Sequence, residues 1–511
     1  MVAKSVEARL GRIGWYAAGL VLAGIVLRIV LADRYGGFLS DQRLFVQWGE
    51  AVVRDGLAGA YLGNGNINYP PLFLFILGGY TRMVEWFGQA PESGALSFKM
   101  VLVAIDMASM VFVALWVRKR ANVYMGLGVL ALIALNPALI AGGAVWGQVD
   151  MLHSMLMAAA VIWAPRRPEV SGLCFALALL TKFQAVTVLP ILGMYLLVSA
   201  IRWKNFRATA MWLIGFCLPL LVALVYFSAH GAIGTMMTQA YGDAVGSFTG
   251  VTVNAMNIWS GIFGVGPAVQ DTTAFVGGIT YRAAGLALFA AAVLLLCAYT
   301  VLALVRLNVP GQGHPKGAVE SDINEQGEQR DGGEKEEAAM RRRHEVEAVL
   351  LRAGAAVNFA FFMLPTEIHE RYGIPALVFA LMAVLHDRRW AAGGVGLSIT
   401  TLINLLVVMR HGGGGFGQDG MGGRFGGGRG GFGGRGDAGF GTGGIPGRGG
   451  GQPRGDASGA FGFSREPSNV LTASHLWVAA GNALLLAWMF WLLWMDLRRR
   501  IQHYAPYSSQ G

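Results

Sequence analysis

Residues 71–88 read PLFLFILGGYTRMVEWFG, and whether this run crosses a membrane fixes the topology of the rest of the chain. It is apolar, but Arg82 and Glu85 interrupt it and the tandem Pro70-Pro71 gives it an extended entry. The charges around the other hydrophobic runs decide the matter. Basic clusters at 118–120, 166–167, 202–207, 341–343, 388–389 and 498–500 should all face the cytoplasm, because Lys and Arg beside a span resist translocation. If 71–88 spanned, those clusters would lie on the opposite side from the basic N-terminus. The run is therefore expected to lie in the interface as an amphipathic helix, inside a long first extracytoplasmic loop, 33–96.

Apolar runs of spanning or near-spanning length occur at 13–32, 97–117, 124–145, 151–164, 170–182, 185–201, 208–228, 281–305, 347–364, 372–386, 390–409 and 471–496. The expectation is an all-α polytopic membrane protein with about 12 transmembrane helices, some short enough to need local thinning of the bilayer. Composition agrees, since 54% hydrophobic and 14% charged residues are too apolar for a soluble chain of 511 residues. A net charge of +10 would suggest nucleic acid in a soluble protein. Here the basic residues punctuate apolar runs, so no nucleic-acid partner is expected. Cys174, Cys217 and Cys297 all fall inside apolar runs, which excludes a disulfide framework. The run 13–32 is longer than a signal-peptide core and reads as an uncleaved first span.

The chain divides into an N-terminal transmembrane core, 1–306, and a cytoplasmic loop, 307–345, rich in Gly, Glu and Arg and expected to be disordered. A C-terminal transmembrane part follows at 346–409, then a Gly-dominated flexible external loop at 410–470, then the last helix and a cytoplasmic tail at 471–511. Both termini are then cytoplasmic. The external segments, where chemistry is to be sought, include 33–96, 146–150, the turn at Lys182, 229–280 and 365–371.

Asp41 opens an amphipathic segment just after the first span; its carboxylate can take a proton from a hydroxyl, or Ser40 and Asp41 can cap a helix. Tyr69-Pro70-Pro71 shapes the entry to the interfacial helix. In Trp146-Gly147-Gln148-Val149-Asp150 a second carboxylate precedes His153 by three residues, a two-ligand spacing that equally suits substrate hydroxyls or a helix cap. Lys182 stands outside any basic cluster, placed either to hold an anionic lipid phosphate or to snorkel. His369-Glu370-Arg371-Tyr372 offers a guanidinium fork beside an imidazole, and Asn257 adds an amide suited to sugar or to loop packing. Arg28 and Asp106, deeper in their spans, are expected to neutralise each other.

Asp41 and Trp48 in a long first loop, Tyr69-Pro70-Pro71, Trp146-Gly147-Gln148-Val149-Asp150, Lys182 with Leu189-Pro190, and His369-Glu370-Arg371-Tyr372 together resemble the GT-C superfamily of membrane glycosyltransferases. The resemblance covers roughly 13–386, lies in the order and sidedness of these motifs, and is closest to bacterial polyprenyl-phosphate-sugar transferases. The eukaryotic dolichyl-phosphate glucosyltransferases are more distantly similar. It implies a GT-C-like core and inverting transfer of a hexose, mannosyl or glucosyl, from a polyprenyl-phosphate donor to a lipid, glycan or protein acceptor. It also implies a plasma membrane, as in a bacterial inner membrane, with the site extracytoplasmic. Asp41 is then the general base, with Lys182, Arg371 and His369 toward the donor phosphate. Asp150, Gln148, Tyr69, Glu370 and Asn257 complete the expected substrate-binding set. The chain departs from the family in carrying one acid rather than an acidic pair at the start of the first loop. No cofactor is expected, and a divalent metal is left open. A transporter or lipid flippase, and a ligase moving a whole glycan from a lipid diphosphate, are the competing readings; no internal repeat supports the first.

Overall fold

The computed structural model describes residues 2–118, 122–243, 248–307, 325–411 and 473–502. After α1 (Val2–Arg34) the chain leaves the bundle, makes α2 (Leu39–Gly63) and α3 (Pro71–Trp86), and returns as α4 (Leu96–Val117). Pro70 and Pro71 set the start of α3, as expected, with Pro71 where its missing N–H costs nothing. α3 buries Phe73, Leu74, Leu77 and Tyr80 in a cluster shared with Phe45 and Trp48 of α2, while Phe75 and Trp86 are exposed. It carries Arg82 and Glu85 and is not among the helices apolar enough to cross a membrane.

The next span is broken. α5 (Val123–Ala134) and α6 (Pro137–Ile140) meet at Asn136, whose side chain accepts the Ala138 and Leu139 amides, and a π-helical turn, Ala141–Trp146, closes the segment. α7 (Asp150–Trp163) and α8 (Pro168–Thr181) follow, then a 3-10 turn, Phe183–Val188, leading into α9 (Leu189–Ile201) and α10 (Phe206–Ala229). A short α11 (Ile233–Met237) precedes a loop carrying the antiparallel hairpin β1 (Ala274–Val276) and β2 (Ile279–Thr280). The rest is helical: α12 (Tyr281–Val305), α13 (Glu325–Met363), α14 (Ile374–Ala383), α15 (Trp390–His411) and α16 (Ala473–Gln502).

Among the described residues nine helical segments are long and apolar enough to cross a membrane, and three shorter apolar helices accompany them. The shorter ones, Asp150–Trp163, Pro168–Thr181 and Ile374–Ala383, fall on the short runs read from the sequence. The protein is thus a helical, multi-pass membrane-embedded chain, with the two-residue β2 and its partner as a minor departure from all-α.

α13 and α14, from the segment 346–409, share one buried core with Val129, Met157, Phe175 and Tyr299 from the first 306 residues. Ile374–Ala383 is apolar on every face and buried at every position, as a central helix must be. Within the segment 307–345, α13 begins at Glu325, and Glu337 pairs with Arg341 one turn on. Residues 308–324 and the Gly-rich 412–472 lie outside the described residues.

Arg28 and Asp106 do neutralise each other, with Nε to Oδ2 at 2.7 Å. At the end of the bundle away from α2 and α3, the buried Glu347 accepts the Trp116 indole at 3.0 Å, meets His386 Nε2 at 3.2 Å and pairs with Arg166. Arg352 bonds Asp496 and the His386 carbonyl beside them. This network of buried partners was not read from the sequence.

Candidate functional site

α2, the π-helical turn and the α13–α14 turn converge at the other end of the bundle. Gly147, at φ +96°, reverses the chain after Trp146, a left-handed turn that only glycine makes cheaply. The reversal aims two donors at Asp41: Trp146 Nε1 at 3.0 Å and Gln148 Nε2, both on Oδ2. The helix-cap alternative for Asp41 is overturned, since the N-cap is Phe38 and no side chain caps the helix. Asp41 makes no hydrogen bond through Oδ1 among the described residues.

Tyr69 joins the same group, its hydroxyl donating to Gln148 Oε1 at 3.2 Å. Asp150, first in α7, pairs with Lys182. Lys182 sits where α8 ends in extended backbone, with the rings of Tyr69 and Tyr372 at 5.5 and 5.4 Å from its ammonium. It is neither a snorkelling cation nor a free one: it is 5% exposed and committed to a carboxylate. His153 Nδ1 is 3.9 Å from Asp150 Oδ1, and neither ring nitrogen has a hydrogen-bond partner among the described residues.

Arg371 is the hub. Its Nη1 bonds Glu370 Oε1 at 2.8 Å and lies 3.8 Å from Asp41 Oδ2, while Nε, buried without a hydrogen bond, is 4.0 Å from Asp150 Oδ2. The guanidinium also stands 5.9 Å from the Trp146 ring. Burial works against its charge, but Asp41, Glu370, Tyr69 and Asp150 hold its pKa well above the ordinary value. Burial raises the Glu370 carboxyl, with Arg371 pulling the other way. The His369 imidazole is held well below its usual range by burial, then by Arg371 and Lys182, and so stays neutral. His369 is packed edge-on against Phe248 with ring centroids 4.6 Å apart.

The segment carrying these residues is gripped from outside. The Val253 amide bonds the Ile368 carbonyl at 2.9 Å, and the Trp259 indole donates to the Leu364 and Pro365 carbonyls. Arg282 bonds Asp271 at 2.8 Å and Glu367 at 2.5 Å, and Thr366 donates to Asp271.

The structure therefore brings together Asp41, Tyr69, Gln148, Asp150, Lys182, His369, Glu370 and Arg371. Asn257 is placed apart in role: it is fully buried, and its carbonyl caps the Trp259 and Ser260 amides. Trp146 was missed as a site residue, although a buried indole N–H needs an acceptor and Gln148 and Asp150 follow it closely. Among the described residues no three His, Cys, Asp or Glu side chains gather to hold a metal ion. A scan against protein-family models and a search of curated proteins both find no match to the chain.

Proposed function

We propose that the protein is an inverting glycosyltransferase of the GT-C kind, moving a hexose from a polyprenyl-phosphate donor to an acceptor on the extracytoplasmic face of the plasma membrane. Among the described residues, the nine long and three shorter apolar helices then form the spans. The observation that carries this reading is the Asp41 carboxylate facing the Arg371 guanidinium across 3.8 Å, with the carboxylate's second oxygen uncommitted.

The acceptor hydroxyl gives its proton to Asp41 Oδ1 as its oxygen bonds the sugar C1. The C1–phosphate bond breaks, and polyprenyl phosphate leaves as an anion stabilised by Arg371. Attack in line with departure inverts the anomeric centre. Lys182 and Asp150 act from behind, through Arg371, rather than on the phosphate itself.

Charge supports a monophosphate donor over the lipid-diphosphate ligase reading. Among the described residues the cations within 4.0 Å of Asp41, Asp150 and Glu370 are Lys182 and Arg371, the nearby His153 and His369 being imidazoles, and burial pushes Glu370 toward its neutral form. A site nearly balanced before binding suits one added negative charge better than two or three. An apolar cavity of about 240 Å³, lined by Leu31, Tyr35, Val145, Leu402 and Met409, shares Val145 and Met409 with the buried cluster that holds Trp146 and suits part of a lipid chain. The buried cross-links around Glu347 support an enzyme over an alternating-access transporter, because they tie the far end shut.

Asp41→Asn keeps the size of the side chain but cannot take the proton. Polyprenyl-phosphate binding should persist while hexose transfer falls by roughly 10² to 10⁴. Transfer within a few-fold of the parent, or donor binding lost in parallel, would sink the base role. Movement of lipid across vesicles without transfer would favour the flippase.

A further inference from the structure

Gln42 follows Asp41 on α2 and is fully buried. Its Nε2 donates to the Gly36 carbonyl at 3.0 Å and to the Trp146 carbonyl at 2.8 Å, and its Oε1 accepts the Gly94 amide at 2.8 Å. All three partners are backbone groups, and they come from three separate places: the entry to α2, the turn before α7 and the entry to α4. A primary amide is the one neutral side-chain group that offers two N–H donors and a carbonyl in a single plane. Glu in its ionised form supplies neither donor, and Asn is one methylene short.

The chain is shaped to close on this amide. Gly37, at φ +81°, has no room for a Cβ, which would stand 2.5 Å from Gln42 Nε2. At Gly147 a Cβ would stand 2.9 Å from Gln42 Cγ. The Trp146 carbonyl receives a second N–H, from Phe38 at 3.2 Å, and the Phe38 and Trp146 rings stack with centroids 4.6 Å apart. So the peptide that Gln42 fixes belongs to the residue whose indole bonds Asp41, and it lies two residues before Gln148, the other donor to the same oxygen.

We propose that Gln42 is a positioning residue for Asp41. Its amide fixes the Trp146 backbone, which aims the Trp146 and Gln148 donors at Asp41 Oδ2 and leaves Oδ1 for the acceptor. The catalytic half of this inference rests on the reading of Asp41 as the base; the geometric half does not.

The test uses the full-length protein in detergent with ¹⁵N-labelled tryptophan, the Trp146 indole resonance being assigned by its loss in Trp146→Phe. In Gln42→Glu that resonance should move in the direction that it moves in Asp41→Asn, because both changes alter the bond from Trp146 Nε1 to the carboxylate. Turnover should fall by about 10- to 100-fold, the scale of a misplaced catalytic group, while polyprenyl-phosphate binding stays within two-fold or so. A glutamine that only stabilised the loop would lower the unfolding temperature and leave both the resonance and turnover per folded molecule unchanged, which overturns the proposal. If Gln42→Glu does not fold, Gln42→Asn, still neutral, carries the same expectations. A parent protein with no transferase activity overturns the catalytic half and the reading of Asp41 together, and the Trp146 resonance still decides the geometric half.

Discussion

Lys182 and Asp150 form a buried ion pair directly behind Arg371, whose Nε lies 4.0 Å from the free Asp150 oxygen. Lys182 is thus committed to Asp150, while Arg371 lies within 4.0 Å of both Asp150 and Asp41. Removing one partner of a buried pair strands the other charge, at a cost of about 3–5 kcal/mol. Lys182→Met should lower the unfolding temperature in detergent sharply, and Lys182→Met with Asp150→Asn should recover most of the loss. Additive losses in the double variant would show that the two side chains are not coupled.

A second dependence runs through Arg282. It is bonded to Asp271 and Glu367, and Glu367 sits at φ +62°, a left-handed backbone that costs a non-glycine residue about 1–2 kcal/mol. The clasp holds the strained turn that leads into His369-Glu370-Arg371. Arg282→Met should speed amide hydrogen exchange across 364–371 by ten-fold or so, about 1.4 kcal/mol of lost local stability. Unchanged exchange there, in a folded variant, would remove Arg282 from the support of the site.

Much of this was legible in the sequence and part was not. The spans, the helix over 71–88 and the Arg28–Asp106 pair followed from apolar run length, proline placement and the high cost of a lone charge at membrane depth. Charge parity led to the expectation that Asp41, Gln148, Asp150 and Arg371 share one side, and the structure brings their side chains together at one end of the bundle. Pairing within a side could not be read, since Lys182 and Asp150 are brought together by the break after α8, a three-dimensional event with no spacing rule. Gln42 was hidden for a related reason: its partners are backbone groups of remote segments, which carry no residue signature. The Glu347 network likewise joins residues from 116 to 386, a range over which no periodicity applies.

His369 gives stability a pH dependence. The unfolded imidazole gains its proton near 6.5, whereas the folded one is held neutral well below that value. Below pH 6.5 the unfolded state binds more protons, so this contribution is fully present above 6.5 and is lost as the pH falls. The limiting slope is about 1.4 kcal/mol per pH unit. Glu370, with its carboxyl raised, acts in the opposite sense, so the parent alone does not isolate the imidazole. His369→Gln removes the titration and leaves Glu370 in place. The gap in unfolding free energy between the two proteins should shift in favour of the variant as the pH drops from 7 to about 5. A gap that stays constant across that range would mean that the imidazole is protonated in the folded state as well.

Glu347 separates the enzyme from the transporter. Its carboxylate is fully buried and holds Trp116 from α4, Arg166 from the turn after α7, and His386 from the turn after α14. Gln in its place keeps the shape and loses the charge on which Arg166 depends. Arg166 is a quarter exposed, so water offsets some of the loss, and the cost should fall near the lower end of about 3–5 kcal/mol. For an enzyme this end of the bundle is scaffold: Glu347→Gln should unfold at lower temperature yet transfer sugar at the parent's rate, measured below that temperature. In an alternating-access transporter the same contacts would be a gate that must open in each cycle. Loosening it would then change the rate of lipid or solute movement across vesicles by much more than it changes binding. A variant that is less stable, unaltered in transfer and silent in flux is the expected result; altered flux with no transferase activity in either protein would move the assignment to a transporter.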